Sequence, residues 1–359
     1  MESFIYTPNP SHVIFGPASE SSSQLLGYLA QRGLHAVLIL STPGQVDKAI
    51  TLEQALSPNT VGIFSKAMMH TPLEATKEAV QAAQDLKADS IVSIGGGSTI
   101  GLGKAISIRT GLPHICIPTT YAGSEMTPIL GETMGGTKTT RKDAAILPDA
   151  VIYDVSLTMS LPVKISITSG INAIAHAIEA LYAPDTNPII RLQAREGVSA
   201  LSQALLVIVN SPQDLEARTK ALYGAWLCGV CLGSTTMSLH HKLCHTLGGS
   251  FNLPHAETHT SLLPHTFAYN SPVVPAAGRD LADALGDANG DPVEALNRLL
   301  DQLGACRALS DHGMREKDLD RAASIAVQNQ YANPRKIEQG QIRELLRRAW
   351  AGELAKADL

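Results

Sequence analysis

Ser90-Ile91-Val92-Ser93-Ile94-Gly95-Gly96-Gly97-Ser98-Thr99 decides the fold. Its first five residues are an apolar run interrupted only by small serines, as a parallel strand buried on both faces requires. The run passes straight into three glycines, and helical spacing begins near Ile100. Glycine lets a backbone approach a ligand closely, and a helix N-terminus offers unpaired N–H groups to a phosphate. Strand, turn and helix therefore read as a diphosphate cradle. The turn is not a Walker loop. Counting back from Gly103-Lys104, the first glycine is replaced by Ser98, and Ala105 follows the lysine. Nor is it GxGxxG, although the physics of pyrophosphate binding is the same.

The neighbouring segments repeat the alternation. His35-Ala36-Val37-Leu38-Ile39-Leu40 is a second continuous apolar run, followed by Ser41-Thr42-Pro43-Gly44. Helical spacing covers Ser21 to Arg32, about 46–56 and about 72–87, with strands at Val13-Ile14-Phe15 and Val61-Gly62-Ile63-Phe64. His114-Ile115-Cys116-Ile117 enters Pro118-Thr119-Thr120-Tyr121-Ala122-Gly123-Ser124-Glu125, another polar loop at a strand's carboxyl end. Thr137 to Lys142 reads as a polar turn, a hairpin connection, before the strand Ala150–Asp154. The expected unit is an α/β N-terminal dinucleotide-binding domain with a parallel sheet, residues 1–156. Thr42, Gly95, Gly96, Gly97, Ser98, Thr99, Thr119, Thr120 and Ser124 are its candidate cofactor contacts. Enzymes strict for NAD place an acid on the ribose 2′-hydroxyl at a strand end. Leu40-Ser41-Thr42 carries none, so both NADH and NADPH are expected.

Beyond 156 helical spacing takes over, through 168–183, 189–209, 214–234 and 237–248, then about 277–288, 292–304, 316–327 and 340–349. Residues 157–359 read as an all-helical domain. His241 and His245 are an i, i+4 pair on one helix face, and Asn172 and His176 are another. Gly248-Gly249 is expected to end the first of these helices, so that the chain turns and returns His255 to the same place. Two helices offering polar groups to a shared centre build metal or proton-transfer sites. Cys244, between the two histidines, reads as a small apolar filler. Tyr331-Ala332-Asn333-Pro334-Arg335 is a turn carrying a phenol and a guanidinium.

Composition narrows the class. The 359 residues are 44% hydrophobic and 17% charged, with a formal net charge of -5. A mildly acidic chain without a basic, aromatic-interleaved run argues against nucleic acid as a partner. No apolar run is long enough to span a bilayer. Five cysteines, an odd number spread over the chain, suggest reduced thiols and a cytoplasmic enzyme.

The loops and histidines together resemble the iron-containing, group III alcohol dehydrogenase superfamily, which includes glycerol dehydrogenase and is related to dehydroquinate synthase. The likeness rests on Gly95-Gly96-Gly97-Ser98, Pro118-Thr119-Thr120 with Gly123-Ser124-Glu125, His176-Ala177-Ile178-Glu179, His241 with His245, and Pro254-His255. Within it, His241-Lys242-Leu243-Cys244-His245 and Asn333-Pro334-Arg335 are similar to the subgroup of maleylacetate reductases. The resemblance implies a dehydroquinate synthase-like pair of domains, NADH or NADPH in the cleft, a homodimer, and reduction of a small dicarboxylate, maleylacetate, to 3-oxoadipate. It also places Lys142 near the nicotinamide. In metal-dependent members the position of Asn172 is an aspartate that ligates the metal beside residues matching His176, His241 and His255. A neutral amide binds a divalent cation weakly, so a metal-free reaction is expected. His241 and His245 are then the candidate electrophile and proton donor, with His255, His176 and Tyr331 completing the catalytic set. Asn172, Lys242 and Arg335 are candidate substrate contacts. A metal-dependent dehydrogenase of simple alcohols and a non-catalytic nucleotide-binding protein are the alternatives.

Overall fold

Alternation along each strand decides how the sheet is covered. In β2 (Val37–Leu40), Val37 and Ile39 enter one apolar cluster with α1 (Ala18–Arg32) and α2 (Val46–Leu56), while Leu38 and Leu40 enter another on the opposite face. That second cluster takes in α3 (Leu73–Asp85) and α4 (Gly97–Thr110). All four side chains of β2 are fully buried, each contributing about 1.5–3 kcal/mol. This two-sided burial is why the run reads as continuously apolar.

The computed structural model describes every residue except Met1, Glu2, Ser3, Ile5, Thr7, Pro10, Gly135, Gly136 and Asn329. Two compact units emerge. The first is Pro8–Leu161; the second is Pro162–Leu359, with which Phe4 and Tyr6 group. In the first, six parallel strands lie in the order β1 (His12–Gly16), β8 (Ala150–Asp154), β5 (His114–Pro118), β4 (Ser90–Gly95), β2, β3 (Thr60–Phe64). From β2 the chain goes outward to β3, then returns past β2 to β4. The order therefore reverses between β2 and β4, and open α/β sheets bind ligands at such a point. β6 (Ile129–Met134) and β7 (Thr137–Lys142) form a separate antiparallel hairpin. The hairpin expected around Thr137–Lys142 is present, but the segment is its second strand rather than its turn; β-branched threonines favour extended backbone. The short helix α5 (Ser156–Met159) also belongs to this unit.

The second unit is helical: α6 (Val163–Leu181), α7 (Pro188–Asn210), α8 (Leu215–Ser234), α9 (Leu239–Phe251), α10 (His255–Asn270), α11 (Pro275–Ala284), α12 (Pro292–Gln302), α13 (Leu319–Ala326) and α14 (Gln339–Ala351). Sixteen of the residues of α6 are buried, so its polar side chains need internal partners. No single described helix is long and apolar enough to cross a membrane.

Two expectations fail here. Gly248 and Gly249 do not end α9; it runs on to Phe251 and stops at Asn252, whose φ of 57° places it in the left-handed region. Asparagine tolerates that conformation, and the Leu253 amide closes on the Leu247 carbonyl, in the manner of a C-terminal helix cap. Helix α10 has no counterpart among the helices expected from sequence. It is buried on all sides and contains Pro264, so it shows neither an amphipathic stripe nor an uninterrupted helical composition.

Candidate active site

Three polar loops meet at the carboxyl ends of β2, β4 and β5. Gln45, after β2, exchanges hydrogen bonds with the Thr119 hydroxyl after β5 at 3.2 and 3.4 Å. The Thr119 amide donates to the Gly95 carbonyl at 3.0 Å. Gly95 must be glycine: its φ is 156° and a Cβ would overlap the Thr99 hydroxyl. A Cβ on Gly96 would stand 3.1 Å from Thr120. A methyl added at Gly97, by contrast, would find no atom of the described residues within 4 Å. Gly97 opens α4, whose N-cap is Gly96 with no side-chain cap. The Thr99 amide closes on the Gly96 carbonyl at 3.0 Å; the amides of Gly97 and Ser98, at the uncapped start of the helix, are the ones such a terminus offers to an anion.

Beneath this turn, Lys104 is fully buried and braces the loop that carries Ser124. Its Nζ donates to the Ser124 carbonyl at 2.5 Å, the Thr127 hydroxyl at 2.9 Å and the Ile129 carbonyl at 3.0 Å. Burial lowers its pKa to about 8. Thr42 is half-buried beyond β2. Lys142 is not in this group: it lies exposed at the end of β7, opposite Ile129.

In the helical unit, Asn172, His176 and Glu179 follow one another at four- and three-residue spacing on one face of α6. Glu179 is fully buried and carries the site's architecture. Its Oε2 accepts from the Ser238 amide and from His241 Nδ1, both at 2.7 Å; its Oε1 accepts from the His240 amide at 2.7 Å. One carboxylate from α6 therefore caps α9, where negative charge is favoured, and fixes the His241 ring. With Nδ1–H committed to Glu179, His241 presents Nε2; that nitrogen is buried and has no hydrogen-bond partner among the described residues.

Around His241 stand five more imidazoles. Ring centroids lie at 5.1 Å for His176–His241, 5.0 Å for His241–His259, 5.5 Å for His240–His241 and 6.0 Å for His241–His245. His255 stacks with His245 at 6.4 Å and meets His259 edge-on at 4.4 Å. Tyr331 Oη lies 2.9 Å from His245 Nδ1, and Lys242 Nζ lies 5.6 Å from the Tyr331 ring. Burial first, and then charge on neighbouring imidazoles, pushes His176, His240 and His259 well below the ordinary histidine range. These three are neutral at pH 7. Burial also raises the Tyr331 phenol and lowers the Lys242 ammonium.

The structure thus gathers His176, His241, His245, His255 and Tyr331, and puts Asn172 and Lys242 on the same elements. It gives Arg335 another task. The guanidinium donates to the Tyr269 carbonyl at 2.7 Å and to the main-chain oxygen of Leu359, and lies 4.2 Å over the Tyr269 ring. A guanidinium spent on main-chain oxygens is a poor carboxylate clamp. Asn333 is also structural. Its Oδ1 accepts from Ser238 at 2.7 Å and Asn270 at 2.9 Å, and its Nδ2 donates to the Arg335 carbonyl at 2.6 Å. Sequence reasoning placed Glu179 in a motif without giving it a role, assigned none to His240, and missed His259 and Thr266. The i, i+4 spacing of His255 and His259 was the available signal.

Comparison with known proteins follows the same division. Residues 10–155 match the model of iron-containing alcohol dehydrogenases, and residues 166–350 match that of the C-terminal part of the Fe-containing alcohol dehydrogenase family. The chain is 52% identical to a maleylacetate reductase of Rhizobium sp. (strain MTP-10005) over 98% of its length and 99% of the relative's. It is 49% identical to a maleylacetate reductase of Pseudomonas sp. (strain P51), with 98% of each chain covered. The crystal structure of maleylacetate reductase from Agrobacterium tumefaciens superposes with a TM-score of 0.94 at 50% identity, covering 99% of this chain and 100% of that one.

Proposed function

The chain belongs to the iron-containing alcohol dehydrogenase family, an oxidoreductase family, and we propose that this member reduces maleylacetate to 3-oxoadipate with NADH or NADPH and without a metal. The full-length likeness to maleylacetate reductases carries the substrate assignment. The glycine turn at 95–97 supports the nucleotide, and the Glu179-anchored imidazole cluster supports the proton chemistry.

Maleylacetate is a keto-diacid whose carbon–carbon double bond is conjugated with the ketone. A nicotinamide nucleotide held at the glycine turn would supply hydride to the alkene carbon β to the ketone and be oxidised by those two electrons. The π electrons of the alkene would then rest on the ketone oxygen as an enolate. A proton then adds to the α carbon. The site must hold negative charge on oxygen and deliver one proton to carbon. In this reading a second proton on His241, at Nε2, donates to the enolate oxygen while Glu179 faces the far side of the ring. His245, backed by the Tyr331 hydroxyl, supplies the proton to carbon. His176 and His255 complete the pocket. Lys242 is the cation for a substrate carboxylate, and Asn172 donates from its amide.

Two features support the metal-free reading: Asn172 stands where the family's metal-binding aspartate is, and the buried carboxylate on the same helix face, Glu179, already accepts three N–H groups. Three imidazoles, matching the family's other ligands, would be left to hold a cation with no carboxylate to balance its charge. Stoichiometric divalent metal in protein purified without chelator, with turnover abolished on its removal, would reverse this reading.

The deciding assay is NAD(P)H oxidation with maleylacetate, run beside oxidation of small alcohols. Turnover only with the alcohols would replace this function with that of a metal-dependent dehydrogenase. The absence of an acid at the end of β2 supports use of both cofactors; a hundredfold preference for NADH in kcat/KM would contradict it. We place the enzyme in the cytoplasm as a homodimer. All five cysteines are free thiols, four of them buried, which suits a reducing compartment. Light scattering would test the dimer.

A further inference from the structure

Behind the imidazoles assigned above lies a chain of three buried side chains that the reaction has not used. The Thr266 hydroxyl is within 3.1 and 3.0 Å of the Leu262 and Leu263 carbonyls of its own helix. His240 Nδ1 lies 2.9 Å from that hydroxyl, and His240 Nε2 lies 2.9 Å from His259 Nδ1. Thr266 is 1% exposed, and His240 and His259 are 0% exposed. The far nitrogen, His259 Nε2, is buried with no hydrogen-bond partner among the described residues. The His259 ring stands 4.4 Å from His255 and 5.0 Å from His241.

Proton counting along the chain sets its direction. A hydroxyl has one hydrogen, and helical threonines commonly give it to a carbonyl one turn back. Thr266 then accepts from His240 Nδ1–H. His240 is fully enclosed, and its ring meets a hydroxyl, an imidazole and a thiol but no carboxylate among the described residues, so nothing balances a second proton there; its Nε2 carries no hydrogen and accepts from His259 Nδ1–H. His259 is equally enclosed, which leaves its Nε2 with a bare lone pair. We propose that His240 and Thr266 are positioning residues that lock His259 in the Nδ1–H tautomer, so that His259 offers the catalytic cluster an acceptor and never a competing proton. This deepens the reductase reading and rests on it for the catalytic consequence, although the tautomer itself does not.

The consequence concerns proton delivery. With His259 restricted to accepting, a hydrogen bond from the cluster's proton-bearing group has one fixed direction, and the proton leaves through the donor aimed at the substrate. Releasing the lock lets an N–H of His259 compete, and protonation of carbon slows. His240, Cys244 and His259 also bring ligand atoms within 4.8 Å of one another. Two ring nitrogens 2.9 Å apart are at hydrogen-bond distance, closer than two ligands on one tetrahedral ion allow.

The test uses the full-length enzyme with 15N-labelled histidine. In the wild type, 15N NMR should show hydrogen on His259 Nδ1 and none on Nε2. Thr266→Val, nearly isosteric, should mix the tautomers and lower kcat about tenfold. It should also raise the solvent deuterium isotope effect on kcat, with both KM values within about twofold of wild type. Thr266→Ser should restore all of these. His240→Gln, checked for folding by circular dichroism, should repeat the isotope effect. Hydrogen on His259 Nε2 in the wild type, metal at this trio in the purified protein, or an unchanged isotope effect in Thr266→Val would each overturn the proposal. A merely structural role lowers kcat without moving the isotope effect. If the wild type does not turn over maleylacetate, the reductase reading fails alone, and NMR still decides the tautomer.

Discussion

Glu179→Gln isolates charge from shape at the centre of the helical unit. The carboxylate serves three donors, two on Oε2 and one on Oε1. An amide has one acceptor oxygen, so its NH₂ must face an N–H on one side. The less costly orientation keeps the oxygen on the Ser238 amide and His241, and turns the NH₂ against the His240 amide. That strands one buried N–H, at about 1–3 kcal/mol, and weakens two charge-assisted bonds by about 1 kcal/mol each. We expect a loss of roughly 3–5 kcal/mol in the helical unit. The far side of His241 also loses its negative charge, and kcat should fall about 100-fold, equivalent to about 2.7 kcal/mol. KM for NADH should not change, because Glu179 lies outside the unit that holds the glycine turn. Calorimetry and steady-state NADH oxidation measure both effects. A kcat within threefold of wild type at an unchanged melting temperature would refute the assignment of Glu179 as the anchor of the site.

Other perturbations separate the remaining roles. Gly97→Ala meets no atom of the described residues, so it should leave the melting temperature intact while raising KM for NADH at least about tenfold; an unaltered KM would remove the diphosphate from this turn. Arg335→Ala should cost about 1–3 kcal/mol of stability through its lost carbonyl and ring contacts, with KM for the diacid unchanged; a selective tenfold rise in that KM would reinstate the clamp. Burial holds His114 at about 3 and His265 at about 4, against an unfolded value near 6.5. The unfolded chain binds more protons between those values, so stability is full above about pH 6.5 and is lost as pH falls toward 4, each group adding about 1.4 kcal/mol per pH unit. Urea midpoints that stay flat from pH 6.5 to 4.5 would contradict this.

The sheet was legible because its strands obey a rule of burial. Val37–Leu40 and the Ile91, Val92 and Ile94 side chains of the next strand are apolar on both faces, as a covered parallel strand requires, and glycine- or proline-containing turns bound these short runs. The glycine turn was legible for the complementary reason: a Cβ at Gly95 has no room. Helix α10 was hidden because Pro264, three threonines and three histidines obscure any stripe, and its stability comes from enclosure rather than propensity. The histidine pairs revealed themselves through spacing, but the acid that orients His241 comes from 62 positions earlier, and spacing carries no such information. Arg335 misled for a related reason. Its partners are main-chain oxygens, which every residue possesses.

The corner between α9 and α10 has only Asn252, Leu253 and Pro254 to work with. One residue added or removed there would rotate His255 and His259 about 100° around the α10 axis, or shift them along it by about 1.5 Å, while His241 and His245 stayed where they are. Most surface connections absorb such length changes; this one cannot, because both of its ends carry reacting groups. Insertions and deletions between 252 and 254 should therefore be lethal to activity even where substitutions at the same positions are harmless.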